Sequence, residues 1–145
     1  MEINKPRIAE LKCHIDDRGF LTQIWDTDLA TEIKRIYTVE NFDKDIVRGF
    51  HHHRKEWKYF YVLRGSAKFV TVSSINQEDV QKFVLSDKMP AILIVPPNHY
   101  NGWKALEDNT ILIGMSNFTL KESLQDDQRI SPFAFGKDIW EVESR

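Results

Sequence analysis

Three consecutive histidines, His51, His52 and His53, form the densest chemical feature of the sequence. Side chains alternate along an extended strand, so His51 and His53 share one face while His52 points the other way. Histidine titrates near neutral pH, so two imidazoles on one face could exchange protons with a bound molecule or bind a metal ion. The alternative interpretation is a basic strand end or loop that solvent covers.

Strand-like segments surround these histidines and must position them. Their β-branched and aromatic residues, and the turn signals between them, predict strands. Good helix formers predict a helix only near 8–11 and 120–124. Short strands at fairly regular spacing favour an all-β sandwich or barrel. The predicted strands are 32–39, 58–63, 67–72, 81–85, 91–95 and 110–115.

Composition limits the class of protein. The 145 residues carry a formal net charge of −2 and a single cysteine, Cys13. This length predicts one domain over 1–145, with a tail packed on it from about residue 120. The small net charge gives no attraction to nucleic acid or anionic lipid. We find no signal peptide or membrane-spanning stretch, and one cysteine allows no intrachain disulfide, so a cytoplasmic protein is expected.

The spacing around the histidines resembles the first sequence motif of cupins. Gly49, His51, His53 and Gly65 match that motif in all but its first interval, and segment 96–101, PPNHYN, resembles the second motif. The resemblance implies an all-β, single-domain double-stranded β-helix, that is, a jelly-roll barrel.

Two positions depart from the metal-binding cupins. Lys58 stands where their ligand glutamate lies, and Asn101 replaces the second-motif histidine. A metal site needs three or four donors, and an ammonium group repels a divalent cation. We therefore expect no bound metal and no other cofactor. The donors that remain are His51, His53 and, as further candidates, His99 and Glu56.

Three segments resemble the nucleotide-sugar epimerases and ketoisomerases, a cupin group. Segment 15–21, IDDRGFL, is similar to the D-x-R-G opening of the group, and 33–37 with 47–53 is most similar to the sugar 3,4-ketoisomerases. Lys58, seven residues before Gly65, stands where the dTDP-4-dehydrorhamnose 3,5-epimerases carry an active-site lysine. The resemblance covers about residues 15–115 and implies a dTDP- or CDP-linked sugar as substrate.

The same resemblance implies enolate chemistry. A ketone at C4 of a sugar acidifies the C3 and C5 protons, and the enolate formed on proton abstraction needs a cation or strong donors. His51 is the expected base, because histidine exchanges protons well at neutral pH. Lys58 would stabilise the enolate oxygen, and His53 would orient the sugar or serve as a second acid–base group. Tyr37 is the better placed candidate acid, with Tyr100 as the other.

Cationic and aromatic residues complete the expected site. Guanidinium groups match phosphate oxygens, so Arg48 and Arg18 are expected to hold the diphosphate, with Arg35 as a further candidate. The alternative is that these arginines face solvent and that the aromatic residues are core. The full set of predicted binding residues is Arg18, Arg35, Arg48, Phe20, Asn101 and Trp103.

Departures from the 3,5-epimerases bear on the reaction. Their acidic tyrosine falls near Gly114 and Met115, which donate no proton, and Asp127 is only a candidate partner for the catalytic histidine. We therefore favour an epimerase that inverts C3 alone over one that inverts both C3 and C5. Its expected role is in 6-deoxysugar or O-antigen biosynthesis. A 3,4-ketoisomerase is the alternative: similarity over 33–53 favours it, whereas Lys58 favours the epimerase.

Two other classes of protein stay open. One is a metal-dependent cupin oxygenase, and the other is a non-catalytic module that binds a sugar nucleotide.

Strand edges need protection, and the related enzymes are generally dimers whose strands add to the partner's sheet. We therefore expect a homodimer in which the N-terminal segment completes the neighbour's pocket.

Overall fold

Strands dominate the computed structural model, which describes residues 4–26 and 32–145. The first six strands are β1 Arg7–Glu10, β2 Cys13–Asp16, β3 Gly19–Thr22, β4 Arg35–Glu40, β5 Val47–His52 and β6 Lys58–Arg64. The next six are β7 Ser66–Ser73, β8 Val80–Ser86, β9 Ala91–Val95, β10 His99–Ala105, β11 Ile111–Ser116 and β12 Gln128–Arg129. Helix α1 spans Leu120–Asp126, and a 3-10 turn spans Asp138–Trp140.

Two antiparallel sheets of five strands form the barrel. The first has the order β1-β9-β6-β11-β4, the second has the order β12-β5-β10-β7-β8, and β2 pairs only with β3. The predicted all-β double-stranded β-helix is thereby confirmed, and each of the six predicted strand segments overlaps one of these strands. The prediction for 120–124 is also confirmed, because α1 begins there behind a capping box between Thr119 and Glu122.

The prediction of helix near residues 8–11 is wrong. Ile8 and its neighbours form β1, in which Ile8 lies opposite Leu93 and Glu10 lies opposite Ala91 of β9. This segment gains interstrand hydrogen bonds and places Ala9 and Leu11 against a cluster of buried side chains. Such tertiary packing outweighs the weak helix propensity of four residues.

The main core lies between the two sheets. Inward side chains of β6, β9 and β11 meet those of β7, β8 and β10, as the alternation of a strand requires. Phe60, Trp103 and Leu112 belong to this core and also form part of the wall of a cavity. Side chains of the apolar core therefore form one part of the cavity wall.

The C-terminal segment packs on the second sheet. β12 pairs with β5, so Arg129 lies opposite His51, and the backbone of Ile130 exchanges two hydrogen bonds with Phe50. Trp140 is buried against Phe50, with ring centroids 5.4 Å apart. A side chain at Gly102 would contact the Trp140 ring, so the glycine permits this close approach. No helix among residues 4–26 and 32–145 is long and apolar enough to cross a membrane.

Candidate active site

A cavity of about 240 Å³ opens between the sheets and holds all four side chains that the sequence assigns to catalysis. His51 comes from β5, His53 from the residue after its end, Lys58 from β6 and Tyr37 from β4. His52 does not line the cavity and instead packs against the ring of Tyr100 at 4.7 Å. The alternation expected for the three histidines is thus present.

His51 is paired with a carboxylate. Its Nδ1 lies 3.1 Å from Oδ1 of Asp127, and Oδ2 of Asp127 accepts a hydrogen bond of 2.8 Å from Nε of Arg129. Burial opposes ionisation of Asp127, but the hydrogen bonds from Arg129 and His51 hold the pKa of that carboxyl below its usual value. An ionised Asp127 keeps the proton on Nδ1, which leaves Nε2 of His51 as the basic nitrogen.

His53 is buried and also has a fixed ring. Its Nδ1 lies 3.1 Å from Oε2 of Glu56 and 3.3 Å from the carbonyl oxygen of Asp126. Both partners are acceptors, so Nδ1 carries the hydrogen. Burial lowers the pKa of His53, although the charge of Glu56 opposes the shift. The ring is therefore neutral near pH 7, and Nε2, which has no hydrogen-bond partner in the described part of the chain, presents a lone pair.

Glu56 is the centre of a buried polar cluster behind the cavity. Burial alone would raise its pKa, but Lys58, Ser116 and His53 lower it below its usual value. The carboxylate is therefore ionised although it is only 1% exposed. Its Oε1 accepts from Arg35 at 3.1 Å, Lys58 at 3.2 Å and Ser116 at 2.5 Å, and its Oε2 accepts from Ser123 at 2.8 Å.

Tyr37 lies beside the ammonium group of Lys58. Nζ of Lys58 donates a hydrogen bond of 3.1 Å to the Tyr37 hydroxyl and lies 5.1 Å from the ring centroid. Tyr37 stands opposite Gly114 in the β4–β11 register. A Cβ at Gly114 would meet the Tyr37 ring and lie 2.6 Å from its hydroxyl oxygen. The phenol of β4 therefore occupies the space that a side chain at position 114 of β11 would need.

Four of the six predicted binding residues line the cavity: Arg35, Arg48, Asn101 and Trp103. Nε of Arg48 donates to Oδ1 of Asn41 at 2.6 Å, and Nδ2 of Asn101 donates to the carbonyl oxygen of His51 at 3.3 Å. Arg35 is tied to Glu56, and Trp103 is also part of the core.

Arg18 and Phe20 do not line this cavity within one chain. They lie on the β2–β3 hairpin, which pairs with neither large sheet. Arg18 is ion-paired with Asp16 and its side chain is 86% exposed, and Phe20 is 80% exposed. The expectation that both residues bind the ligand therefore requires the hairpin to act in another molecule.

Several residues of the site carry no motif and were not identified from the sequence. Arg129 lines the cavity beside Asp127, and Leu120, Ser123 and Leu124 of α1 line its mouth. The sequence predicts only Asp127 in this region, as a candidate partner of the catalytic histidine, and assigns no role to Asp126. Four cationic side chains line the cavity, whereas Asp127 is the carboxylate in its wall and the carboxylate of Glu56 lies behind that wall. This balance suits an anionic ligand. The four cations are Arg35, Arg48, Lys58 and Arg129.

The residues present do not fit a divalent metal ion. No group of three or more His, Cys, Asp or Glu side chains within 4–26 and 32–145 is placed to hold one. Glu56 could join the two histidines, but its carboxylate is already ion-paired with Arg35 and Lys58. An ammonium group 3.2 Å from the carboxylate opposes a second cation there.

Asp126 fixes the loop that carries His53 and Glu56. Its carboxylate accepts backbone hydrogen bonds from Arg54, Lys55 and Glu56 at 3.0, 2.9 and 3.0 Å. Burial opposes ionisation, but these three N–H groups hold the pKa of Asp126 below its usual value. We expect Asp126→Ala to lower the free energy of unfolding by about 2 kcal/mol in urea denaturation at pH 7.

The pH dependence of that loss follows from the direction of the shift. A carboxyl whose pKa is lower in the folded chain stabilises the fold above the unfolded pKa, about 3.9, and loses that contribution as the pH falls through the folded pKa. The difference between Asp126→Ala and the wild type should therefore shrink below about pH 4. Asp108→Ala, at an exposed turn between β10 and β11, is the control and should change the stability little. If Asp126→Ala lowers the free energy of unfolding equally at pH 7 and below about pH 4, an ionic role for Asp126 is contradicted.

Comparison with known proteins shows the family and the fold of the chain. The family model FdtA, described as WxcM-like, C-terminal, matches residues 4–128. QdtA, a sugar 3,4-ketoisomerase from Thermoanaerobacterium thermosaccharolyticum solved in complex with TDP, is 26% identical, with a TM-score of 0.76 over 92% of this chain and 93% of its own. The H51N mutant of QdtA, solved with TDP-4-keto-6-deoxyglucose, is 25% identical, with a TM-score of 0.76 over 90% of each chain.

A second group of enzymes shares the fold. The dTDP-4-dehydrorhamnose 3,5-epimerase from Bacillus anthracis is 19% identical, with a TM-score of 0.82 over 99% of this chain and 89% of its own. No curated protein sequence matches this chain significantly. The comparisons confirm the resemblance to the nucleotide-sugar epimerase and ketoisomerase group.

Proposed function

Because the chain belongs to the FdtA family of WxcM-like C-terminal domains, we propose that it is an isomerase of a nucleotide-linked 4-keto-6-deoxy sugar, and specifically a 3,4-ketoisomerase. The observation that carries this proposal is the His51–Asp127 pair in one cavity with the Lys58–Tyr37 pair. A histidine oriented by a carboxylate is a base, and an ammonium–phenol pair stabilises and protonates a developing oxyanion.

The reaction needs no oxidant or reductant. Nε2 of His51 takes the proton from C3, and the C–H electrons form a C3–C4 double bond while negative charge moves to the C4 oxygen. Lys58 and Tyr37 stabilise that oxygen. Tyr37 donates its hydroxyl proton to the C4 oxygen and recovers a proton from the C3 hydroxyl, and His51 returns a proton to C4. The ketone has moved from C4 to C3, and the atoms balance.

Inversion at C3 is the second candidate, and Lys58 is the observation that favours it. The enolate is the same, but a proton returns to C3 from the opposite face and the ketone stays at C4. Tyr37 is the described group that would supply this proton, because no side chain stands at Gly114. The ketone shift is preferred because QdtA, the enzyme in the compared structures at 25–27% identity, is a 3,4-ketoisomerase.

Incubation with dTDP-4-keto-6-deoxyglucose in deuterium oxide separates these reactions by proton NMR. A 3-keto product with deuterium at C4 is the expected result. Deuterium at C3 with an inverted centre and a retained 4-ketone would support the epimerase. Binding of the ligand with no deuterium incorporated at C3 or C4 would support a non-catalytic module. Metal analysis tests the oxygenase alternative, because near-stoichiometric iron or manganese would favour it.

A homodimer is part of the proposal. The β2–β3 hairpin exposes Ile15, Phe20 and Leu21 to solvent, which a monomer has little reason to do. In the dimer, the hairpin would bring Arg18 and Phe20 to the cavity of the partner. The cytoplasmic location of the protein and its role in 6-deoxysugar biosynthesis remain predictions. The proposed ligand is a dTDP- or CDP-linked sugar.

A further inference from the structure

Arg35 has an unusual position for a residue expected to bind a diphosphate. Its Nη2 contacts Oε1 of Glu56 at 3.1 Å and Oγ of Ser123 at 3.4 Å. Its Nη1 is buried and has no hydrogen-bond partner in the described part of the chain. A buried guanidinium nitrogen without a partner is costly, so a ligand atom is the natural acceptor for it.

His53 has the complementary atom. Its Nδ1 contacts the other oxygen of Glu56 at 3.1 Å, and its buried Nε2 has no partner among the described residues. Both residues line the cavity. The carboxylate of Glu56 thus contacts Nη2 of Arg35 and Nδ1 of His53. The other nitrogen of each side chain, the donor Nη1 of Arg35 and the acceptor Nε2 of His53, remains for a ligand.

We propose that Glu56 presents Arg35 and His53 as a donor–acceptor pair that binds the sugar ring, so that Arg35 selects the sugar and does not hold the diphosphate. The proposal rests on the proposed function, because it assumes a ligand with a ketone next to a hydroxyl group. The ketone oxygen, which also faces Lys58 and Tyr37 in the proposed reaction, accepts from Nη1 of Arg35, and the hydroxyl group donates to Nε2 of His53. Glu56 is a positioning residue in this arrangement.

The distribution of charge supports this division of roles. The guanidinium of Arg35 is balanced by the buried carboxylate of Glu56, whereas Arg48 donates to the neutral side chain of Asn41. Arg129 shares Asp127 with His51, but its side chain is 69% exposed at the cavity. The charge available to a diphosphate is therefore concentrated at Arg48 and Arg129.

Affinity measurements on two ligands test the proposal. We would use the His51→Asn background, so that the keto sugar is not consumed, and titrate TDP and TDP-4-keto-6-deoxyglucose by calorimetry. Arg35→Met should change the TDP affinity less than about twofold and lower the keto-sugar affinity about tenfold or more. Arg48→Met should lower both affinities by a similar factor.

Two further variants protect the test against a folding failure. Arg35→Lys keeps a cation for Glu56 but lacks Nη1, and it should show the same split between the ligands. Glu56→Gln should also lower the keto-sugar affinity more than the TDP affinity. Lys34→Met changes an exposed lysine next to Arg35 that pairs with Glu122, and it should change neither affinity.

Each remaining outcome overturns the proposal. If the Arg35 variants lose TDP affinity as strongly as keto-sugar affinity, Arg35 binds the diphosphate. If they lose neither, Arg35 does not contact the ligand. If the His51→Asn parent binds neither ligand, the proposed function fails first, and that result is distinct from a changed preference between the two ligands.

Discussion

His51→Asn is expected to lower kcat for the nucleotide-linked keto sugar about a thousandfold, because it removes the base that takes the C3 proton. Asparagine retains a polar side chain of similar size but no group that titrates near neutral pH. Incorporation of deuterium at C4 of the 3-keto product, followed by proton NMR, should fall by the same factor. TDP affinity should stay within about twofold, because His51 does not hold the diphosphate in this mechanism.

His52 offers a matched control for that prediction. It is the next residue on β5, but its ring packs on Tyr100 on the other face of the sheet. His52→Gln should therefore retain kcat within about threefold, even if it lowers the thermal stability. Asp127→Asn should lie between the two variants, because His51 remains but loses its orienting carboxylate. Retained exchange in His51→Asn, with exchange lost in His53→Asn, would assign the base to His53 instead.

Local alternation explains why part of this site could be predicted from the sequence. His51 and His53 are two residues apart at the end of β5, so any strand there places both on one face. Lys58 begins β6, and Gly65 lies in the turn after β6. The spacing between these two residues identifies Lys58 with the glutamate position of the cupin motif. These relations involve only neighbouring residues and the geometry of an extended chain.

The cluster around Glu56 could not be predicted in this way. Its partners Arg35, Ser116 and Ser123 are 21, 60 and 67 residues away in the chain, on β4, β11 and α1. They meet only because β6 and β4 are both paired with β11 and because α1 packs at the cavity mouth. No residue type or spacing near Glu56 signals partners at such distances.

β10 was missed for a related reason. Its sequence alternates poorly and contains Asn101 and Gly102, which weaken a strand prediction. Pairing on both sides, with β5 and β7, nevertheless holds it as a central strand. Interstrand contacts thus decide the structure where local preference is weak.

Gly114→Ala is expected to lower kcat about a hundredfold, although residue 114 itself contacts no substrate in the proposed mechanism. The added Cβ would lie 2.6 Å from the Tyr37 hydroxyl oxygen, so the phenol must move. Its hydrogen bond from Lys58 would then be lost, and the enolate would lack the acid that Tyr37 provides. Tyr37→Phe removes the same hydroxyl without moving the ring, and it should give a loss of similar size.

The double variant decides whether the glycine acts through that hydroxyl group. If the only function of Gly114 is to make room for the phenol, then adding Gly114→Ala to Tyr37→Phe removes nothing further from catalysis, and the second change should cost less than about threefold. Independent effects would instead multiply to about ten-thousandfold. TDP affinity and thermal unfolding of each variant separate a blocked or misfolded cavity from a lost acid. A double variant that loses less than about threefold beyond Tyr37→Phe would mean that β4 supplies the acid to this barrel because β11 carries no side chain at the position facing it.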